Sequence, residues 1–338
     1  MKEILPPVEI ALIGTGRMGS TYARIVDELA RTRMVAVCGH GSVSAPAVGE
    51  ALGVPSYTAS RYDQMFADHP QIEAVIVATS EWTHLEPVLA SIEAGKHVLV
   101  EKPMATSPDH AMQMMTQAEK AGVKLMVCHS LRFDRRYAAM QQAVSAGKIG
   151  ETLHVYARRY SLQTAVDRVL GKFPLSYWIA PHDIDMMMWT VGSPVVSVKA
   201  YAKSGAKTRQ DFFVAVLTFA NGAIGVVESS WGTPNRAGRP QNILFTIRGT
   251  EGHMEVLGYE NGVAFYGPHG EAEHPDTNYA PDVHGYVEGH FHALIRHFAD
   301  YVRDLCPPLI TLQDGLAVLR VSEAIAQSLE GGHEITLA

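Results

Sequence analysis

Val8-Glu9-Ile10-Ala11-Leu12-Ile13 runs straight into Gly14-Thr15-Gly16-Arg17-Met18-Gly19 near the start of this 338-residue chain. The first six residues form a short apolar run, and Met18–Ala30 carries apolar residues at helical spacing. A strand that turns through Gly-x-Gly-x-x-Gly into a helix is the arrangement that receives a dinucleotide. The first glycine permits the tight turn, the second lets the backbone approach a pyrophosphate, and the third lets helix and strand pack closely. The phosphate then rests on the positive end of the helix dipole. Gly14, Thr15, Gly16, Arg17, Met18 and Gly19 are therefore candidate cofactor-binding residues.

Further apolar runs follow at Met34–Cys38, Ala74–Ala78, His97–Val100 and Lys124–Cys128, with helix-length segments such as His84–Ala94 and Pro108–Ala121 between them. Continuous apolar strands separated by helical crossovers predict a parallel sheet covered on both faces. Ser107-Pro108-Asp109 places a proline at a first helical position, and Gly95 and Gly122 stand where helices end. Past residue 150 the pattern changes. Runs at Thr152–Tyr160, Val195–Ala202, Phe212–Phe219, Ile224–Ser230, Asn242–Arg248 and His253–Leu257 are separated by glycine- and asparagine-bearing turns. Ala220-Asn221-Gly222-Ala223 predicts a type I′ hairpin. This half reads as a large, mostly antiparallel open sheet, followed by helices over Tyr286–Asp304 and Leu312–Leu329. The expected fold class is α/β: a dinucleotide-binding domain over 1–128 and an α+β domain over 129–338, whose closing helices can pack back on the first.

Composition sets the outer bounds. A length of 338 residues suits two domains of about 150 each. Hydrophobic residues at 47% and charged residues at 19% exclude a disordered or fibrous chain. Lys and Arg total 28 against 35 Asp and Glu, a net charge of −7 with mixed signs, which offers neither a nucleic-acid footprint nor a polybasic membrane anchor. Cys38, Cys128 and Cys306 are too few and too scattered for a disulfide framework, and two sit in apolar runs, as buried thiols of a reducing compartment do. The N-terminal Met-Lys-Glu-Ile-Leu-Pro-Pro lacks the apolar stretch of a signal peptide. No apolar segment reaches the ~18–20 residues of a spanning helix. A cytoplasmic protein without nucleic-acid or membrane partners is expected.

The second strand ends Val37-Cys38-Gly39-His40-Gly41-Ser42, without the acid that usually holds the ribose 2′-hydroxyl of NAD. A carboxylate there would repel a 2′-phosphate, so its absence tilts the NAD(P) choice towards NADP. His40 and Ser42 can hydrogen-bond that phosphate, and Arg17 can supply the charge that the stretch lacks.

After the fourth apolar run comes Glu101-Lys102-Pro103, at the carboxyl end of a parallel strand, where ligands bind in such sheets. Here the sequence resembles the Gfo/Idh/MocA oxidoreductases, the glucose–fructose oxidoreductase and inositol dehydrogenase group. The resemblance covers nearly the whole chain. It includes Ala78-Thr79 with His84, Ala94-Gly95-Lys96-His97-Val98, Glu101-Lys102-Pro103, Arg132-Phe133-Asp134, Gly147-Lys148-Ile149-Gly150, His182-Asp183-Ile184-Asp185, and Gly315-Leu316-Ala317 to Glu323-Ala324. It implies an N-terminal Rossmann domain, a C-terminal substrate and oligomerisation domain, and a homodimer or homotetramer. It also implies hydride transfer between nicotinamide and a carbinol or keto carbon of a sugar, sugar derivative or cyclitol.

Under that resemblance Lys102 anchors the reacting oxygen and His182 relays its proton. Thr79, Glu81, His84 and Glu101 join Lys102 beside the cofactor, and Arg132, Arg158, Trp178 and Asp183 join Lys102 and His182 around the substrate. An imidazole titrates near neutrality, so His182 can take a hydroxyl proton and return it. Asp183 and Asp185 lead into a Met186–Trp189 helix, and either can orient the imidazole while Asp185 can also cap the helix. Two departures stand out. Many relatives carry an aspartate four residues before this His, where Trp178 stands here, and Glu81 stands where asparagine is frequent. An indole accepts no proton and donates one hydrogen bond. Either another residue supplies the acid or Trp178 covers an apolar face of the substrate, and the change leaves open a cofactor-bound sensor without turnover; an NAD-dependent glycosidase is the third alternative.

Tyr156, Arg158 and Tyr160 alternate along one strand and share a face, either of substrate or of a subunit interface. His284, His290, His292 and His297 lack zinc-site spacing, so no metal is expected. Met112, Met114, Met115 and Met186–Met188 read as core fillers.

Overall fold

The computed structural model describes residues 5–40, 44–58, 61–168, 174–204, 211–233, 241–258, 265–266, 272–273 and 275–337. β1 (Val8–Ile13), β2 (Thr32–Gly39), β3 (Ser56–Thr58), β4 (Ala74–Val77), β5 (His97–Val100) and β6 (Leu125–Val127) form a fully parallel sheet in the order β3-β2-β1-β4-β5-β6. Between them run α1 (Arg17–Glu28), α2 (Ser44–Leu52), α3 (Tyr62–Asp68), α4 (Leu85–Glu93) and α5 (Pro108–Ala121). Ile10, Leu12, Val75, Ile76, Val98 and Leu99 are all buried, because helices cover both faces and no position can be polar. The sheet order reverses between β1 and β4, and ligands of such sheets lie outside the carboxyl ends at that point. α5 keeps the ends its sequence announces. Ser107 Oγ accepts the His110 N–H at 3.3 Å, and Gly122 closes the helix at φ +64°. β3 escaped the periodicity because it is three residues of Ser-Tyr-Thr with no apolar run.

The second half contains α6 (Arg135–Ser145), β7 (Thr152–Leu162), α7 (Thr164–Arg168), α8 (Leu175–Trp178) and α9 (Ala180–Val191). β8 (Val195–Lys203), β9 (Phe212–Phe219), β10 (Ile224–Thr233), β11 (Gln241–Gly249) and β12 (His253–Leu257) follow. The seven-stranded sheet runs β12-β11-β7-β10-β9-β8 and ends on Ile335–Thr336; β7 and β10 are parallel and all other neighbours antiparallel. Val155, Ala157, Arg159 and Ser161 are buried on the face that carries α9, and Tyr156, Arg158 and Tyr160 are half-buried on the other. The hairpin at Ala220–Gly222 corrects the type I′ expectation. Only Gly222 has positive φ (+88°), and its N–H reaches Phe219 O at 2.9 Å, so a glycine-closed three-residue loop joins β9 to β10.

α10 (His290–Val302) and α11 (Leu312–Gly331) close the chain. Tyr286–Val287 pairs with Asp282–Val283 instead of opening α10, since Gly289 (φ +91°) turns the chain just before the helix begins. The chain packs as two units, Met1–Phe133 with Asn278–Leu316, and Asp134–Thr277 with Ala317–Ala338. Residues 278–316 thus belong with the parallel sheet, whereas the sequence division at 128/129 assigns them to the second domain. The reason is local chemistry. Lys124 Nζ donates to the Tyr301 and Val302 carbonyls at 2.7 and 3.0 Å at the end of α10, and Arg303 grips Glu73 at 2.6 and 2.7 Å. No helix among the described residues is long and apolar enough to cross a membrane.

Candidate functional site

In the first unit the carboxyl ends of β1, β2, β4 and β5 bring most of the candidate residues to one edge of the sheet. Gly14 adopts φ +101°, and a Cβ there would lie 2.4 Å from Ala78 O. A Cβ on Gly19 would lie 1.8 Å from Gly14 O, so only hydrogen fits where α1 leaves the turn. Gly16 has nothing within 4 Å of a Cβ position, and it caps α1 without any side-chain hydrogen bond. The first N–H groups of α1 therefore remain available, beside an open space, to an anion on the helix dipole. Thr15 is buried, its Oγ1 2.8 Å from Ser44 Oγ, and packs where β2 ends at Gly39. Arg17 and His40 are exposed, and Met18 is half-buried. Ser42 lies outside the described residues.

At the end of β4, Thr79 Oγ1 is buried and has no hydrogen-bond partner among the described residues. Its backbone is the one that Gly14 approaches. Glu81 opens a 3-10 turn, Glu81–Thr83, and is half-buried. His84 is fully buried, its Nδ1 2.9 Å from Pro103 O and its Nε2 3.4 Å from Thr79 O. It ties the β4 end to the Glu101-Lys102-Pro103 loop: the neutral ring donates its one N–H to the nearer carbonyl, Pro103 O, and packs against the Thr79 carbonyl. Burial holds its pKa below the usual imidazole value. Glu101 Oε2 accepts the Lys102 N–H at 2.9 Å, and Oε1 accepts the hydroxyl proton of Tyr22. Burial raises the Glu101 pKa, opposed by the Lys102 ammonium and the Tyr22 hydroxyl. Arg132 is 4% exposed and donates to Leu309 O (3.0 Å) and Asp314 (3.2 Å), holding residues of the closing segment.

In the second unit, α9 begins at Ala180 rather than at Met186, so His182 and Asp183 sit in its first turn and Asp185 lies within the helix rather than capping it. Asp183 is fully buried and forms a bidentate pair with Arg159, both distances 2.8 Å. That carboxylate is paired with a buried arginine. His182 is half-buried. Trp178, at the end of α8 one turn before it, is half-buried and lies against Trp231 with ring centroids 4.7 Å apart. Arg158 points to the sheet face opposite α9 and donates to Asn242 at 2.9 Å; on the same face Tyr156 and Tyr160 both donate to Glu228. This geometry separates Arg158 from the helix that carries His182. His290 is buried, and His297 Nε2 accepts the Leu309 N–H at 3.0 Å. Among the described residues no group of three His, Cys, Asp or Glu is placed to hold a metal.

Two family models cover the chain. An oxidoreductase family with an NAD-binding Rossmann fold matches residues 8–129, and the C-terminal alpha/beta domain of the same family matches 141–337. The chain belongs to the Gfo/Idh/MocA oxidoreductase family. It is similar to scyllo-inositol 2-dehydrogenase (NAD(+)) of Bacillus subtilis strain 168, 26% identical over 98% of this chain and 96% of that one. It is also similar to myo-inositol 2-dehydrogenase of Thermotoga maritima, 27% identical over 98% of each. Among solved structures, scyllo-inositol dehydrogenase from Lactobacillus casei, with bound NAD(H) and scyllo-inositol, shares the fold at TM-score 0.83, with 19% identity over 98% of this chain and 99% of that one.

As a Gfo/Idh/MocA oxidoreductase the chain carries an NAD-binding Rossmann domain, and its residues fit a dinucleotide. The free N–H groups at the α1 terminus, the open space at Gly16 and the buried Thr79 Oγ1 are groups that suit the polar backbone of a dinucleotide. Three participants were not picked out from the sequence of this family member. Tyr22 reads as an apolar-face residue of α1, and Trp231 as a strand residue. Arg159 did leave a signal: an arginine on the apolar phase of β7 demands a buried acid.

Proposed function

We propose that this oxidoreductase transfers hydride between nicotinamide and a carbinol or keto carbon of a sugar, sugar derivative or cyclitol. Lys102 anchors the reacting oxygen and His182 is its acid/base. The observation that carries the reading is the Gly14–Gly19 cradle, with its uncapped helix and its two glycines that admit no Cβ, in a chain of this oxidoreductase family. Likeness to inositol dehydrogenases over 96–98% of their length supports the substrate class. When bound, the nicotinamide accepts or returns the hydride. Lys102 follows β5 and presents a cation at the sheet edge, where it stabilises negative charge developing on a substrate oxygen. His182 takes the hydroxyl proton in oxidation and returns it in reduction, from a helix turn that the Arg159–Asp183 pair holds rigid. Trp178 covers an apolar face of the ring.

The cofactor of the proposal is NADP in preference to NAD. The described end of β2 carries no carboxylate, and Arg17 is exposed and in no ion pair among the described residues. Fluorescence titration with NADPH and NADH tests this, NADPH binding more tightly; equal or reversed affinities reject it. Steady-state kinetics on scyllo- and myo-inositol and a keto-sugar panel tests the chemistry. His182→Ala is expected to lower kcat/KM about 10²–10⁴-fold, the usual range for a lost general acid–base. Lys102→Met with kcat/KM intact would remove Lys102 from the mechanism.

A further inference from the structure

Tyr22 stands on the buried face of α1, wholly out of solvent, and its hydroxyl donates to one oxygen of Glu101. The other oxygen accepts the Lys102 N–H at 2.9 Å, and the Glu101 N–H is itself engaged by Val77 O at 2.9 Å. Phe291 packs edge-on against the Tyr22 ring, centroids 5.7 Å apart at 76°. The carboxylate is therefore clamped between the helix that leaves the glycine turn and the residue at the substrate end of β5.

We propose that Tyr22 is a positioning residue for Lys102, acting through Glu101 to hold that loop in place and to keep a negative charge beside the lysine ammonium. The proposal rests on the reading of Lys102 as the oxygen anchor. A buried carboxylate stays ionised only if donors and cations face it. The groups facing Glu101 are Tyr22 from α1, the Lys102 amine and N–H from its own loop, Glu81 from the 3-10 turn, and Cys128 beyond β6. Burial pushes the Cys128 thiol up, so it stays neutral, and Glu81 adds repulsion. Tyr22 and Lys102 alone favour the ionised form. Tyr22→Phe keeps the ring against Phe291 and deletes only the donor. Glu101 then loses the donor that fixes its outer oxygen and is free to turn away from Lys102, which loses its counter-charge.

Acetic anhydride labelling of the Lys102 amine, followed across pH by peptide mass spectrometry on the full chain, reads this directly and needs no substrate. Losing a counter-charge lowers the lysine pKa. Below the midpoint, labelling in Tyr22→Phe is thus expected to be about threefold faster, equivalent to half a pKa unit. Glu101→Gln should move the curve in the same direction, and adding Tyr22→Phe to it should change nothing further. A Lys102 curve unmoved in Tyr22→Phe overturns the proposal. If that variant does not fold, a curve unmoved in Glu101→Gln overturns it equally. Lys102→Met separates the two readings. Inactive Lys102→Met with unmoved labelling removes Tyr22 alone, and active Lys102→Met removes the anchor on which the proposal rests.

Discussion

A Cβ on Gly19 would meet Gly14 O at 1.8 Å, and one on Gly14 would meet Ala78 O at 2.4 Å. At these two residues the backbone itself is the packing surface, which is why the Gly-x-Gly-x-x-Gly spacing is readable without coordinates. Side chains that connect distant loops are the opposite case. His84 joins Pro103 O to Thr79 O, and no spacing rule announces such a bridge. It has a measurable consequence. Burial holds the folded-state pKa of His84 below the unfolded value of about 6.5, so the unfolded chain takes up that proton first as pH falls. Its stability contribution is complete above about pH 6.5 and is lost as pH drops from there towards the folded-state pKa, by at most ~1.4 kcal/mol per pH unit. Urea unfolding between pH 7 and 5 checks this. His84→Gln should be less stable at pH 7 yet lose stability less steeply, and an unchanged slope would show that His84 does not titrate on unfolding. His97, His154 and His297, also held low by burial, leave a residual slope.

Elements are set by their boundaries and by what crosses between them. α9 begins at Ala180 with no side-chain cap and ends at Gly192 (φ +67°). Its first turn is secured from below, through Asp183, to Arg159 of β7, at 3% exposure. Removing one partner of a buried pair leaves the other charge uncompensated in a dry site. Asp183→Asn should therefore cost about 3–5 kcal/mol in chemical denaturation, whereas Arg159→Met with Asp183→Leu should cost much less. Equal losses in the two cases would mean that the pair acts by packing rather than by charge. Loosening this turn should also lower kcat through His182 at temperatures where the variant stays folded. At this scale the strand runs and α5 were legible to within a few residues, because each has a continuous period and marked ends. β3 and the true start of α9 were not, the first for want of apolar residues and the second because Pro181 begins a helix as readily as it ends one.

At the scale of the whole molecule, the chain forms two compact units, and the first is the NAD-binding Rossmann domain. A ligand that binds only the folded state stabilises it by mass action. NADPH at 100 times its Kd should therefore raise the unfolding free energy by about 2.7 kcal/mol. Thermal unfolding with NADPH, NADH and neither checks this, and at equal concentration NADPH should give the larger rise; no rise with either would show that the Gly14–Gly19 turn is only a turn.

Local chemistry decided the fold class, the glycine turn and the change from parallel to antiparallel strands, because short-range periods and backbone demands are written residue by residue, whereas Glu101-Lys102-Pro103 and His182 stood out only through the family resemblance. Which polar groups are consumed by the protein was decided only in three dimensions. Asp183 is held in a buried ion pair with Arg159, Arg132 pairs with the partly exposed Asp314, Arg158 faces away from α9, Tyr22 closes on Glu101, and residues 278–316 join the parallel sheet. These pairings join residues 24 to 296 positions apart and follow from the free energy of leaving a buried charge or donor unpaired, a cost that no local window of sequence contains.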